Sequence, residues 1–370
     1  MDQKNENTII ISSGDESGIG PEIMAEALRV LDYFIGEQSL ALEIEVAPLG
    51  AQAYFDQGDP FPPRTKAVCD SADVILKGPV GLNHNETQLI PLEFRPERGA
   101  ILPLRKRYDT FANYRPVRLS EEMKQFSPLK NALLRQGVDF VIVRELVGGL
   151  YFGEKSQGIN PDGLRYVREA LEYDEAQIRR IIIAAFKLAS SRKSHLHNIH
   201  KSNVLLSSEL WNDVLSEVEA DYPDVRVTHL LVDAAATAMC LDPTQFDVMV
   251  MENMFGDILS DQAGGILGSL GLMPSACVGE KKSYFEPSHG SAPDLRGLNI
   301  ANPYSMIGSV ALMLDMSLGR RDLADRVWSA LFHVLGSGRV TQDLSAHVPD
   351  VEVVTTSEFG SLVLDELGGA

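Results

Sequence analysis

Three cysteines in 370 residues, no apolar stretch approaching 18 in a row and a shortage of basic side chains exclude several classes of protein at once. Lys and Arg number 33 against 52 Asp and Glu, a formal charge of −19. The electrostatic term for nucleic acid or an anionic bilayer therefore has the wrong sign, and neither is expected as a partner. Cys69, Cys240 and Cys277 are odd in number and scattered, so no disulfide framework is expected. Their contexts (AVCDSA, TAMCLD, PSACVG) predict buried free thiols in a reducing, cytoplasmic compartment. No stretch predicts a membrane span. The opening MDQKNENTIIISSGD is polar and then only briefly apolar, which reads as a strand rather than a signal peptide. Internal repeats, low-complexity tracts and long linkers are absent too, which removes solenoids and beads on a string.

What is present is a soluble-type composition, 44% hydrophobic and 23% charged, with a length that suits two domains. Short apolar runs (TIIISS, LEIEVAPL, ADVILKGP, VDFVIVREL, VRVTHLLV, FDVMVMEN) alternate with helical patterns. The latter include PEIMAEALRVL, DEAQIRRIIIAAFKLAS, SSELWNDVLSEVEA, NPYSMIGSVALMLDMSL and LADRVWSALFHVL. That alternation predicts an α/β protein whose sheets are covered by helices.

Several stretches carry candidate chemistry. MENMFGDILSDQAGG (251–265) places Asp257 and Asp261 four apart on an expected helix, where like charges repel and burial demands a cation. With Asp233 in HLLVDAAATAM they form an all-oxygen set suited to Mg²⁺ or Mn²⁺. Helix capping is the alternative for Asp233 and Asp257, though not for Asp261. Arg105 and Arg115 in LRKRYDTFANYRPVR, and Arg144 in VIVRELVGG, suit a small di- or tricarboxylate, with surface ion pairs as the plainer explanation. Tyr151 follows a Gly-Gly pair and Lys201 ends HLHNIHK; both can exchange protons once a closed site shifts them toward neutrality. The nearby histidines have no cysteine companions and alternate as one strand face does, so zinc is not expected. GDESGIGPE (14–22) is a Gly-rich turn ahead of a helix, a place for an anion or simply a tight connection. FEPSHGSAPDLRGLNIANP (285–303) has too many small residues and prolines for helix or strand, and a long ordered loop of this kind can wrap an adenosine.

Taken in order, GDESGIGPE, LRKRYDTFANYRPVR, VRELVGGLYFGE, HKSNVL, LLVDAAATAM, ENMFGDILSDQAG and EPSHGSAPDLRGLNIANP resemble the signature segments of the isocitrate/isopropylmalate dehydrogenases. These are NAD(P)- and metal-dependent β-decarboxylating dehydrogenases, and the resemblance runs from about residue 8 to about residue 345, strongest toward the 3-isopropylmalate branch. It implies a two-domain α/β fold with the active site in the interdomain cleft. Residues 1–110 plus 268–370 would form the first, cofactor-side domain, and 111–267 the second, which carries the dimer contact. It also implies a homodimer with shared active sites, Asp257 and Asp261 coming from one subunit and Lys201 and Asp233 from the other.

By the same resemblance Arg105, Arg115 and Arg144 hold the malate carboxylates, Lys201 is the base and Tyr151 the proton donor. Asp233, Asp257 and Asp261 hold the metal. His289, Gly290, Ser291, Ala292, Pro293, Asp294 and Asn302 hold the cofactor. Asp294 would accept from the ribose hydroxyls and repel a 2′-phosphate, which favours NAD. In GAILPLR, Gly99 and Ile101 stand where isocitrate enzymes carry Ser and Asn, and Ile101 with Leu102 offers an alkyl-binding wall. The expected reaction is NAD-dependent oxidative decarboxylation of 3-isopropylmalate to 4-methyl-2-oxopentanoate, a step of leucine biosynthesis. Val147, Pro103, His200, KGPV and TQDLSA depart from that branch, so another 3-substituted malate, isocitrate, tartrate/D-malate or a non-catalytic regulatory role stand as alternatives.

Overall fold

The structure, a computed structural model, describes residues 7–135, 137–346 and 348–369. The polar lead at residues 1–6 lies outside them. The chain divides into two units. Unit 1 comprises Met1–Thr110, Leu119–Asn131 and Gly264–Ala370; unit 2 comprises Phe111–Arg118 and Ala132–Ala263.

Unit 1 holds strands in the order Leu42–Val46, Asn7–Ser12, Val74–Lys77, Ser283–Pro287, Pro274–Val278. The first four run parallel and the last antiparallel to its neighbour. VILK is buried at every position, as a parallel strand covered on both faces must be. Helices Gly20–Gly36, Tyr304–Met316, Arg321–Gly336 and Thr356–Gly368 pack together beside it, burying Phe34, Ile307, Leu314, Leu331 and Phe359 completely. The first helix starts with Pro21 inside its first turn, where the ring's missing N–H costs nothing. It is tied to the last helix by Glu26, which pairs with Arg29 at 2.5 Å, while Arg29 also donates to Ser361 Oγ at 3.0 Å.

Unit 2 has strands in the order Ala112–Leu119, Val138–Glu145, Val248–Met251, His195–His200, Arg226–Leu231, with the last four mutually parallel. Helices Glu175–Ser190 and Leu206–Glu219 cover it, bringing Ile178, Ile182, Phe186, Trp211 and Leu215 into one core with Val143 and Val250. Glu175–Ser190 begins with a capping box between Asp174 and Gln177, so its start is written in the sequence. A separate antiparallel hairpin, Lys155–Ile159 with Arg165–Glu169, leaves Ile159 and Val167 about 70% exposed.

The strands and helices expected from the apolar runs form. Three details differ. Phe285–Pro287, expected within a loop, complete a buried strand, because Tyr284 to Pro287 pack between two neighbours. Cys240 is an exposed thiol, not a buried one, since it lies on the outer side of the Val232–Leu241 helix; Cys69 and Cys277 are buried. His197 and His200 are both buried although they point to opposite faces, so that strand is covered on both sides rather than one.

Candidate active site

Val138–Glu145 and Val248–Met251 pair in parallel with Arg144 opposite Met251, so both strands deliver their next residues to the same edge. In open α/β sheets that carboxyl edge is where ligands bind. Asn253 opens the helix Asn253–Leu267, and its amide oxygen accepts from Arg144 Nε at 3.0 Å and Nη2 at 2.8 Å. The stem of Arg144 crosses Gly256, where a Cβ would lie 2.5 Å from its Cγ, which gives the glycine of FGD a physical reason. The remaining arm of Arg144 pairs with Asp257. Tyr151 donates to the other oxygen of Asp257 at 2.8 Å. Arg115, from the neighbouring strand, donates to Ser260 Oγ at 2.5 Å and to Asn113 Oδ1 at 2.8 Å. It also lies 3.8 Å from Asp257 and 3.6 Å from Asp261.

Five of the residues singled out from sequence thus meet in unit 2: Arg115, Arg144, Tyr151, Asp257 and Asp261. Two buried guanidinium groups make the pair of like charges on one helix face tolerable. Neither carboxylate is used up by them, because the Asp257 and Asp261 side chains keep 40% and 59% of their surface open. Partial enclosure, then the charge of Asp257, push the Asp261 carboxyl up, against the pull of Arg115 and Arg144. Neither acid is a cap, since both lie inside the helix.

Lys201 directly follows the strand His195–His200, and Asp233 is the second residue of Val232–Leu241 rather than its cap. The structure pairs these two with each other, and the Lys201 ammonium holds the Asp233 carboxyl below its ordinary range. Among the described contacts neither reaches Asp257 or Asp261. No group of three or more His, Cys, Asp or Glu poised to hold a metal occurs among the described residues.

In unit 1, Arg105 is buried in the short helix Leu102–Tyr108, donating from Nε to Tyr284 Oη at 3.1 Å, with Glu286 3.9 Å away. Glu286 is held in turn by the buried ammonium of Lys77. Ile101 is buried at the end of a wide π-turn and Leu102 is half-buried. Gly99 has no space for a larger residue: a Cβ there would lie 2.5 Å from Pro60 Cγ and 3.0 Å from the Glu93 carbonyl oxygen.

The loop after Pro287 is assembled against the Gly-rich turn. Ile19 N–H donates to the Ser291 carbonyl at 2.8 Å, and Gly18 is pressed against Ser291 so closely that any side chain would collide. Gly81 lies on the other side, where a Cβ would sit 2.8 Å from Ser291 Oγ. Asp15 ties these loops by accepting from Gly81 N–H at 2.8 Å and from Ala51 N–H; burial pushes its carboxyl up to about 6. His289 is paired with Ser305 Oγ at 2.9 Å, and burial lowers its basicity. Ala292 adopts a left-handed φ of 43°, leading into the turn Pro293–Leu295 with Asp294 exposed and Gly290 open to solvent. Asn302 is buried, donating to Asp343 at 3.1 Å and accepting from Tyr304 N–H at 3.0 Å.

Sequence reasoning passed over Asn253, Ser260, Glu145, Glu252 and Tyr173 in unit 2, and Asp15, Lys77, Tyr284 and Glu286 in unit 1. The available signal was a polar residue closing an apolar run, as in VILK, VIVRE and VMVMEN.

The family description "Isocitrate/isopropylmalate dehydrogenase" matches residues 8–363. A 3-isopropylmalate dehydrogenase of Methylococcus capsulatus is 45% identical over 96% of this chain and 97% of its own. One from Buchnera aphidicola subsp. Uroleucon rudbeckiae is 38% identical over 98% and 99%. Among solved structures, an isocitrate dehydrogenase from Methylococcus capsulatus aligns with a TM-score of 0.85 at 30% identity, covering 98% of this chain and 99% of that one. With that match over nearly its whole length, this chain belongs to the isocitrate/isopropylmalate dehydrogenase family.

Proposed function

We propose that the protein catalyses the oxidative decarboxylation of 3-isopropylmalate to 4-methyl-2-oxopentanoate, with NAD as hydride acceptor and Mg²⁺ or Mn²⁺ as metal, in the cytoplasm as a step of leucine biosynthesis. The observation that carries the reading is the gathering of Arg115, Arg144, Tyr151, Asp257 and Asp261 at one strand edge. Buried guanidinium forks suit carboxylates, and a phenol bonded to a carboxylate beside them suits proton delivery.

The donor chemistry fits a hard divalent cation. Asp257 and Asp261 offer oxygen ligands only, both partly open, with space for water and substrate oxygens. Asp233 is assigned as the third ligand, contributed by a second copy of the chain. The Ser291 loop fits a dinucleotide, being closed by Gly18 and Gly81 and anchored by Asp15 near a helix start. Its assigned residues are His289 to Asp294 together with Asn302. When bound, these groups supply Lewis acidity at the substrate oxygens and an acceptor for the hydride.

The chain's own residues do the rest. Arg105, Arg115 and Arg144 orient the carboxylates, and Lys201 accepts the hydroxyl proton as hydride leaves the same carbon. Tyr151 returns a proton to the carbon that has lost CO₂, so the isopropyl-bearing 2-oxo acid is the product. Ile101 and Leu102 form the apolar wall for the alkyl group.

A homodimer with shared sites follows from the same reading. A two-stranded hairpin is marginal alone, and this one exposes Ile159, Leu164, Tyr166 and Val167. Leu241 and Ile258 add further exposed apolar surface to unit 2. A second copy is the occupant that also brings another Lys201–Asp233 pair.

NADH absorbance with Mn²⁺ and a panel of malates tests the proposal. Turnover of 3-isopropylmalate is expected. Turnover of isocitrate without any alkyl malate would overturn the substrate, and no turnover of any substrate would favour a regulatory subunit.

A further inference from the structure

Beside the unit 2 cluster lies a second polar group, two buried carboxylates around a half-buried tyrosine, that the reaction as described does not use. Glu145 is completely buried and Glu252 is 6% exposed, and both face the hydroxyl of Tyr173. Glu145 spends its oxygens on the N–H groups of Val147 and Gly148, each at 2.9 Å. Glu252 accepts from Phe255 N–H at 3.3 Å at the start of the helix that carries Asp257, and its other oxygen is 3.4 Å from Tyr173 Oη. Tyr173 Oη itself accepts the Asn253 N–H at 3.0 Å. The Asn253 side chain donates to the Gly148 carbonyl at 3.0 Å while its oxygen receives Arg144.

Packing repeats the same connection. A Cβ on Gly148 would lie 2.5 Å from the Tyr173 ring, and one on Gly149, at φ +72°, 2.5 Å from its hydroxyl. Gly149 N–H donates to the Glu172 carbonyl at 3.0 Å. The glycines ahead of Tyr151 are therefore cut to the shape of Tyr173, whose other edge meets Trp211 at 5.9 Å between ring centres. Burying two carboxylates around one phenol costs stability, and hydrophobic replacements of similar volume would serve the core better.

We propose that Tyr173 is a positioning residue for the reaction: its hydroxyl seats Asn253, and its ring shapes the Gly148–Gly149 turn, so that Arg144 and Tyr151 arrive at Asp257 together. Tyr173 touches neither of those side chains in the contacts described and acts through Asn253 and the turn. A misplacement of about 1 Å in such groups is enough to cost two orders of magnitude in rate.

The inference rests on the roles given to Arg144 and Tyr151, and the test separates the two. Full-length wild type, Tyr173→Phe and Tyr173→His are assayed with 3-isopropylmalate, NAD and Mn²⁺, alongside urea unfolding. Phe keeps the ring and loses the acceptor for Asn253 N–H; the shorter His places no ring nitrogen where the phenol oxygen was and also gives up the six-membered ring against Gly148 and Gly149. For Tyr173→Phe the expected result is a malate KM raised about tenfold, the scale of one lost hydrogen bond, with kcat also reduced and the NAD KM unchanged. Tyr173→His, which loses both the acceptor and the ring contact with the Gly148–Gly149 turn, should raise the malate KM at least as far. If Tyr173→Phe does not fold, the histidine variant decides alone, through a malate KM raised while the NAD KM holds. Lower stability with wild-type constants in either folded variant would overturn the positioning role. Wild type inert toward every malate would instead remove the reading of the reaction beneath it.

Discussion

His197 gives the protein a specific weakness toward acid. Its ring is 1% exposed, sandwiched between His195 at 3.9 Å and Phe246 at 4.8 Å between ring centres, and its Nδ1 has no hydrogen-bond partner among the described residues. Burial first, then the neighbouring His195 and Arg226, push its pKa from 6.5 to about 3. The folded value lies below the unfolded one, so between those limits the unfolded chain holds the extra proton and stability rises with pH. The contribution is whole above 6.5, shrinks as pH falls below it, and is gone near 3. At pH 5 the unfolded state has gained 1.5 units of protonation free energy, about 2 kcal/mol at 1.36 kcal/mol per unit. Asp15 and Glu252, pushed up to about 6 and about 7, work in the opposite direction. The measurement must therefore be a difference. Urea unfolding of wild type and His197→Phe, at fixed protein concentration from pH 8 to 5, isolates the imidazole because every other group is common to both. Wild type should lose about 2 kcal/mol more than the variant across that range. Parallel curves would refute the argument, because they would mean that the ring charges in place or is already solvated.

Three further outcomes follow from the same geometry. Tyr151→Phe, which loses the donor to Asp257, should form NADH faster than it releases the decarboxylated 2-oxo acid in single-turnover work; equal slowing of both steps would contradict its role as proton donor. Gly360→Ala drives a methyl into the Glu26 carboxylate within the pairing of the first and last helices, and should cost about 1–3 kcal/mol in thermal or urea unfolding; an unchanged midpoint would show that Glu26 can move aside. Lys77→Met removes a buried cation from the Glu286 carboxylate, which lies 3.9 Å from Arg105. Removing one partner of a buried pair costs roughly 3–5 kcal/mol, so unfolding at a wild-type midpoint would argue that water reaches Glu286.

How much of this was legible depended on whether a property belongs to a residue type or to a meeting of residues. ADVILKGP and FDVMVMEN announced strands because hydrophobicity is local, and DEAQIRRIIIAAFKLAS announced its helix by an equally local apolar period. Asp257 and Asp261 could be seen to share a helix face because their spacing fixes it. The identity of the guanidinium groups beside them could not, since Arg115 and Arg144 arrive from strands more than a hundred positions away. Cys240 shows the limit from the other side: an apolar context cannot reveal which side of a helix faces outward. The polar residues that close apolar runs were the missed class. In a chain carrying a charge of −19, Lys77, Arg105, Arg115 and Arg144 are buried cations, and each meets an acid or amide near the end of a strand or the start of a helix: Glu286 for the first two, Asn113 for Arg115 and Asn253 for Arg144. A core assembled for stability alone would have left such groups out, because desolvating them costs more than their pairing returns. Their retention marks a demand for oriented positive charge, and an anionic substrate of low molecular weight is the ligand that such a demand describes.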